Sequence, residues 1–333
     1  SGTSDINSFS GGGAGSIVLD DQVVGIKSFR TDLIIFCKNS IYKLSNINDA
    51  DTIAITPITK NVGCLDGHSI QEIGGDLLFL SPDGFRLVAG TERIGDVELG
   101  SVSRQIQSVV STIAKSIDGF FISSAVLRSK SQYRFFYSAA TGTTGTSKGL
   151  IGTITPNGFE WSETIGIQAH GFASGLDFSN IEQIYHGDSA GYVYNHNTGN
   201  DFNPAGVQTN INARYKTPNL DFGDAGTLKS LHYTKISFTP EGAVQPNLKV
   251  SYDFDSLDRP QPPLYTLDEI PQPAVFGAGT LGSSVFGAAG DPMVRTAVQG
   301  SGHNIAFKIF SQDTKAPYSI NGFYVDYRPS GRR

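Results

Sequence analysis

Apolar and polar positions along this chain come in short bursts separated by turn residues, and the bursts recur in pairs. In DLIIFCKNSIYKLS (32–45), Leu33, Ile34, Ile35 and Phe36 form an unbroken apolar run, Lys38, Asn39 and Ser40 make a polar turn, and Ile41 to Leu44 follow as a second run. An apolar run of this length bounded by turn residues predicts a strand buried on both faces, with the second run as its hairpin partner. The same plan returns in LLFL-SPDG-FRLV (77–88), in LIGTI-TPNG-FEWS (150–162) and, more loosely, in QIYHGDSAGYVYN (183–195). Asp-Gly and Asn-Gly tolerate the positive φ that a tight hairpin turn demands. Pro82, Asp83 and Gly84, and Pro156, Asn157 and Gly158, therefore join Lys38, Asn39 and Ser40 as expected structural turns.

Repeated small antiparallel sheets predict an all-β chain whose first domain, 16–205, is propeller-like, because radial packing covers each sheet's apolar face and leaves few open edges. The uneven spacing of the hairpins makes that propeller irregular or incomplete, and a large β-sandwich would produce many of the same hairpins. Its first elements are expected at 16–19 and 22–29. One stretch breaks the strand pattern. In SVSRQIQSVVSTIAKSI, Ile106, Val109, Val110, Ile113 and Ile117 recur every three or four residues, predicting one short helix near 103–117 with Ser103 as its cap. Arg104 and Lys115 are too few basic residues to favour a lipid-binding helix.

Composition shifts within 197–224, which places a second domain at 206–333. There Leu248, Val250, Tyr252 and Phe254 alternate with Lys249, Ser251, Asp253 and Asp255, and further strands are expected at 293–298, 304–310 and 320–327. This pattern predicts a β-sandwich or jelly roll. Residues 258–292 form a Pro/Gly-rich excursion unsuited to central strands. Its Leu264, Tyr265, Val275, Phe276, Leu281, Val285 and Phe286 are a large apolar surface, read as candidate intersubunit contacts. Residues 1–15 read as a flexible lead-in or interdomain remnant, GGGAG included.

Charged residues make up 17% of the chain and glycine 39 of its 333 residues, a balance that suits strands and turns over long helices. Net charge is −6 and the basic run Arg332-Arg333 stands alone, which argues against tight sequence-specific DNA binding. No stretch is long and apolar enough for a membrane helix, so no membrane anchor is expected. The chain begins at Ser1 without an initiator methionine, which implies a processed terminus or a later part of a longer polypeptide.

Candidate chemistry is sparse. Cys37 and Cys64 lack metal-ligand spacing and read as free thiols, with one disulfide between neighbouring strands as the alternative. His186 and His196 flank a turn with Asp188 between them in sequence, but a metal there would need further ligands. Asp253, Asp255 and Asp258 resemble a calcium loop without its glycine or terminal glutamate, and the first two are expected on a strand face. Asp66, Asp76, Asp83, Glu92 and Asp96 are available as paired acids, as they would be in any chain of this size. The expectation is no cofactor, no metal, no catalytic residue and no enzyme. An aromatic share of 11% mildly favours a subunit of an assembly.

The succession GIKSFRTDLIIFCKNSIYKLS (25–45), GCLDGHSIQEIGGDLLFLSPDGFRLVAG (63–90) and SVSRQIQSV (101–109), with the ending INGFYVDYRPSGRR (320–333), resembles the tail tubular protein B, nozzle or tail stabilisation proteins of short-tailed bacteriophages. The resemblance spans roughly 16–120 and 210–333 and rests on turns and strands. It implies a structural virion protein located in the phage tail, forming a hexameric ring with copies of itself. Adaptor or portal-proximal proteins and tail fibres would be its partners. The ring would extend the channel, retain the packaged genome and pass double-stranded DNA without sequence-specific contacts, for which an acidic lumen avoids adhesion. The alternatives are a fibre-attachment or receptor-contacting virion module, and a secreted propeller that binds or cleaves carbohydrate.

Overall fold

The unbroken apolar runs become strands with two buried faces. In the computed structural model, which describes residues 16–47, 52–89, 101–139, 148–167, 169–199, 207–270 and 293–332, the chain divides into the units Ser1–Asn197 and Thr198–Arg333.

In the first unit β1 (Val23–Phe29), β2 (Asp32–Cys37), β3 (Ile41–Ser45) and β4 (Ala54–Thr59) form one antiparallel sheet in sequence order. A second sheet holds β5 (Gln71–Ile73), β6 (Asp76–Ser81) and β7 (Gly84–Leu87). After helix α1 (Gln107–Lys115) a third is built from β8 (Phe120–Leu127), β9 (Gln132–Ala139), β10 (Lys148–Thr155) and β11 (Gly158–Thr164), and a fourth from β12 (Gly171–Leu176), β13 (Glu182–Gly187) and β14 (Val193–Asn195). The repeated hairpins of the sequence are β2–β3, β6–β7, β10–β11 and β13–β14, one in each sheet. The leading strands also converge. β8 contacts both β5 and β12, and Ile26 and Lys27 of β1, Gln71 of β5, Ser123 and Ser124 of β8 and Phe172 of β12 line one depression of about 270 Å3. The sheets are propeller-like in this sense, each presenting its first strand to a common space.

Alternation explains why the runs are apolar throughout. Leu77 and Phe79 of β6 pack toward Ile34, Phe36 and Ile41 of the first sheet, with the Phe36 and Phe79 rings 5.2 Å apart. Leu78 and Leu80 point the other way, into a cluster with Phe85, Val110, Ile113, Tyr133, Phe135 and Leu150. Each fully buried Leu or Phe contributes roughly 1.5–3 kcal/mol relative to exposure, so a strand packed on both faces gives twice the return of a half-buried one. Trp161 stacks on Phe85 at 4.8 Å and donates its indole N–H to the Val102 carbonyl at 2.7 Å, tying the third sheet to the segment before the helix.

Three expectations are corrected by the backbone. Residues 16–19 are not a strand, and the first one begins at Val23. The helical stretch opens as a 3-10 turn, Arg104–Ile106, and continues as α1 with Ile106 at its N-cap position. Ser103 does not cap it, because its hydroxyl already accepts from the Phe85 N–H at 3.0 Å and contacts Ser101 Oγ at 2.9 Å. The strand around Leu248 ends at Tyr252, and Asp253, Phe254 and Asp255 then take left-handed φ of 49°, 63° and 61°.

The second unit pairs β15 (Ile211–Lys216), β17 (Asn247–Tyr252), β18 (Tyr265–Thr266) and β21 (Ile305–Asp313) in the order β15-β21-β17-β18. It faces a sheet in which the long β16 (Thr227–Pro240) pairs with β22 (Tyr318–Arg332) along one side and with β19 (Met293–Ala297) and β20 (Ser301–Gly302) along the other. Ile236, Phe238, Leu248, Val250, Tyr252, Phe307 and Ile309 fill the space between, which makes the unit sandwich-like. Gly300, at φ 107°, lies against the Tyr252 ring, where a Cβ would collide. Of the expected contact residues, Leu264 is exposed and Tyr265 packs on the core in β18. Val275, Phe276, Leu281, Val285 and Phe286 lie outside the described residues.

Candidate functional site

The turn residues singled out from sequence hold hairpins. Cys37 donates its N–H to the Ser40 carbonyl at 2.8 Å, while the Asp21 carboxylate accepts from the Asn39 N–H at 2.6 Å and the Ser40 hydroxyl at 2.9 Å. Pro82 and Asp83 lie between Ser81 and Gly84, the pair that closes β6–β7, and Gly84 has φ 143°. Asp83 binds the guanidinium of Arg86 and accepts from Ser81 Oγ, which holds its carboxyl below the usual range against the opposing effect of burial. Pro156 and Asn157 lie between Thr155 and Gly158, with Gly158 at φ 113°.

Among the described residues, most of the acids considered for chemistry are held by local hydrogen bonds or ion pairs. Asp66 accepts from the His68 N–H at 2.7 Å. Asp76 accepts from the Leu77 and Ala89 N–H groups. Glu92 and Asp96 lie outside the described residues. Asp253 accepts from the backbone of His303 and Asn304 at 2.7 and 2.9 Å and pairs with Arg259, Asp255 pairs with Lys216 at 3.3 Å, and Asp258 is exposed. The calcium-like run is therefore a braced left-handed turn. Among the described residues no group of three His, Cys, Asp or Glu converges as a metal site. Both cysteines are free and buried, and burial pushes the Cys64 thiol up to about 12.

The structure does bring His186 and His196 together, with Nδ1 of the first 2.6 Å from Nε2 of the second. The third member is one that sequence reasoning missed: Arg134 NH1, from β9, lies 3.3 Å from His196 Nδ1. Arg134 NH2 donates to Gln132 Oε1 at 3.0 Å and Asn197 Oδ1 at 3.2 Å. Guanidinium can only donate, so His196 Nδ1 accepts and its Nε2–H donates to His186 Nδ1. That leaves the buried Nε2–H of His186 without a partner. The three side chains form a polar joint between the third and fourth sheets. Burial holds both imidazoles neutral, and His196 is lowered to about 3.

A cleft lies elsewhere, in the second unit, where β15 and β22 flank the open edge of the sandwich-like core. Its volume is about 610 Å3. Tyr215 of β15 is 48% exposed, and its ring stacks on Phe323 of β22 at 6.2 Å and 22°. Polar groups surround this apolar floor. Arg214 is steadied by Asn212, whose Oδ1 accepts from Nε at 2.9 Å. Asp313 accepts from the Lys315 N–H at 3.0 Å, Lys315 Nζ donates to Glu269 at 2.9 Å, and Ser311 Oγ lies 3.4 Å from the Tyr318 hydroxyl. Asn321 and Ser319 complete the wall. The site is drawn from chain segments about a hundred residues apart, and the only signal for it in the sequence was the general aromatic share.

No family model and no curated protein matches this chain. Among solved structures, a glycoside hydrolase family 43 arabinoxylan arabinofuranohydrolase from Bacillus subtilis, in complex with cellotetraose, aligns over 93% of this chain and 97% of its own, at 10% identity and a TM-score of 0.21. The tail-protein assignment is corrected by this outcome, since no family model and no curated protein supports the resemblance. The hexameric ring, its adaptor, portal and fibre partners, the passage of DNA, the location in a virion and the statement that the chain is not an enzyme fall with it. A TM-score of 0.21 carries no argument about fold or activity, which leaves the geometry of the cleft as the ground for a functional reading.

Proposed function

We propose that this chain binds carbohydrate, with the cleft between β15 and β22 as the sugar-contacting site. The stacked and half-exposed Tyr215–Phe323 pair on the floor of that cleft carries the reading. The axial C–H bonds of a sugar ring bear partial positive charge and pack on the negative face of an aromatic ring, which also removes apolar area from water. Sugar hydroxyls both donate and accept, so a sugar site needs donors and acceptors side by side. Lys315 supplies a donor, and Asp313, Ser311 and Asn321 supply acceptors within the same walls.

Cleavage would ask for more. A glycosidase keeps one carboxyl protonated as an acid beside a second that is ionised. The stacked rings support the binding step, and reducing-end release reads whether cleavage follows.

The test is calorimetric titration and thermal unfolding of the full chain with a panel of neutral oligosaccharides, with reducing-end release measured in the same samples. At least one oligosaccharide is expected to bind and raise Tm by mass action. Tyr215→Ala should weaken that binding by about tenfold or more, or about 1.4 kcal/mol. A panel without a binder, or a binder indifferent to Tyr215→Ala, overturns the proposal.

A further inference from the structure

The outer face of the β19-β16-β22 sheet carries a charge arrangement that folding alone does not favour. The register places Lys235 of β16 directly opposite Arg295 of β19 on one side and Tyr324 of β22 on the other. Side chains directly opposite on adjacent strands point to the same face, so the row across the sheet reads Arg295, Lys235, Tyr324. Like charges directly opposite one another destabilise the pairing. The next row places Tyr233 beside Asp326. The Arg295 guanidinium carbon lies 4.2 Å from the Tyr233 ring centroid and Lys235 Nζ lies 6.0 Å from it, so two cations lie near one aromatic ring.

Asp326 balances one of these charges, and its hydrogen bond with Tyr233 holds it in the lower row. The upper row keeps its two cations together in a chain whose net charge is −6. Beside them Tyr324 is 58% exposed, and it lines, with Lys235, Tyr233 and Asp326, a shallow depression of about 580 Å3. The components are complementary to one kind of ligand. A planar guanidinium fork and an ammonium fit carboxylate or sulfate oxygens. An open tyrosine ring offers a stacking surface for the ring that bears them.

We propose that this face is a binding site for acidic polysaccharide, in which Arg295 and Lys235 contact the carboxylate or sulfate groups and Tyr324 stacks on a sugar ring. The site is separate from the neutral-sugar cleft and does not depend on it. An extended polymer suits the flat, open shape better than a small anion, because repeated charges engage a row of cations in succession.

The experiment is affinity electrophoresis of the full chain in gels containing polygalacturonate, dextran sulfate or neutral dextran, at low and high salt. Retardation by at least one acidic polymer is expected, weakened by salt as counterion screening requires, with none by neutral dextran. Arg295→Gln and Lys235→Gln should each weaken it by about tenfold, and Tyr324→Ala by a comparable factor. Arg295→Lys should lose part of the effect, since it keeps the charge and removes the fork. Lys249→Gln, an exposed site on the opposite sheet, should leave it unchanged, and circular dichroism of each variant establishes that it is folded. No retardation by either acidic polymer at low salt, equal retardation by neutral dextran, or folded Arg295→Gln and Lys235→Gln variants that bind like the parent would overturn the proposal. Preference for polygalacturonate identifies the carboxylate as the ligand chemistry, and preference for dextran sulfate the sulfate.

Discussion

Single residues show where conformation or burial removes alternatives. Cys37 and Cys64 read from sequence as free thiols, and the structure buries both. Burial disfavours the thiolate, which is the reactive form, and raises both thiols. Neither cysteine is therefore expected to react with a thiol reagent in the native protein, and both should react in denaturant, as a spectrophotometric thiol titration will show. Gly84 was legible as a turn glycine, but its second constraint was not. A Cβ there would meet the hydroxyls of Ser101 and Ser103, the latter engaged with the Phe85 N–H. Gly84→Ala should cost more than about 1 kcal/mol in urea unfolding, since it combines a positive φ with a steric collision. Gly158→Ala has the strain without the collision and should cost less.

At the scale of elements, local pattern located the hairpins and tertiary contacts decided their ends. The apolar runs at Leu33–Phe36 and Leu77–Leu80 were readable as doubly buried strands because alternate residues have separate cores to enter. Ser103 looked like a cap because capping is a local rule, yet the nearby Phe85 backbone claimed its hydroxyl. The joint between the third and fourth sheets was half visible. His186 and His196 stood out in sequence, while Arg134 lies about fifty residues earlier and gave no local sign. Phe136 and Phe172, with ring centroids 4.7 Å apart, pack beside this joint.

That joint predicts a pH dependence. Protonating either imidazole places a second positive charge near Arg134 in a buried site; at His186 the Asp188 carboxylate offsets part of that penalty, and the Tyr194 ring is stacked over it. The folded pKa of His196, about 3, lies below its unfolded value of 6.5, so the unfolded chain binds more protons between these limits. The stability contributed by neutral His196 is present above about pH 6.5 and is lost as pH falls toward 3, the loss reaching on the order of 2 kcal/mol by about pH 5. Urea midpoints of the parent should fall across this window, and those of His196→Gln should fall less. Parallel profiles would remove the joint as the cause.

For the whole molecule, the second unit has a core of its own, running from Leu231 to Ile309 and closed by residues of β22. A fragment spanning 198–333 is expected to give a β-type circular dichroism spectrum and a cooperative thermal transition; a non-cooperative melt would show that this core is not self-sufficient.

The all-β class, the hairpins, their turn chemistry and the helix at Gln107–Lys115 were determined by the sequence, because each depends on residues within a few positions of one another. The tail-protein reading relied on the same turns and strands, which many β proteins share, and it did not survive comparison. The Tyr215–Phe323 cleft, the opposition of Lys235 to Arg295 and the Arg134–His196–His186 joint were decided only by tertiary structure. Each joins segments about fifty or more residues apart, and register and sheet packing, not local pattern, determine which distant side chains meet.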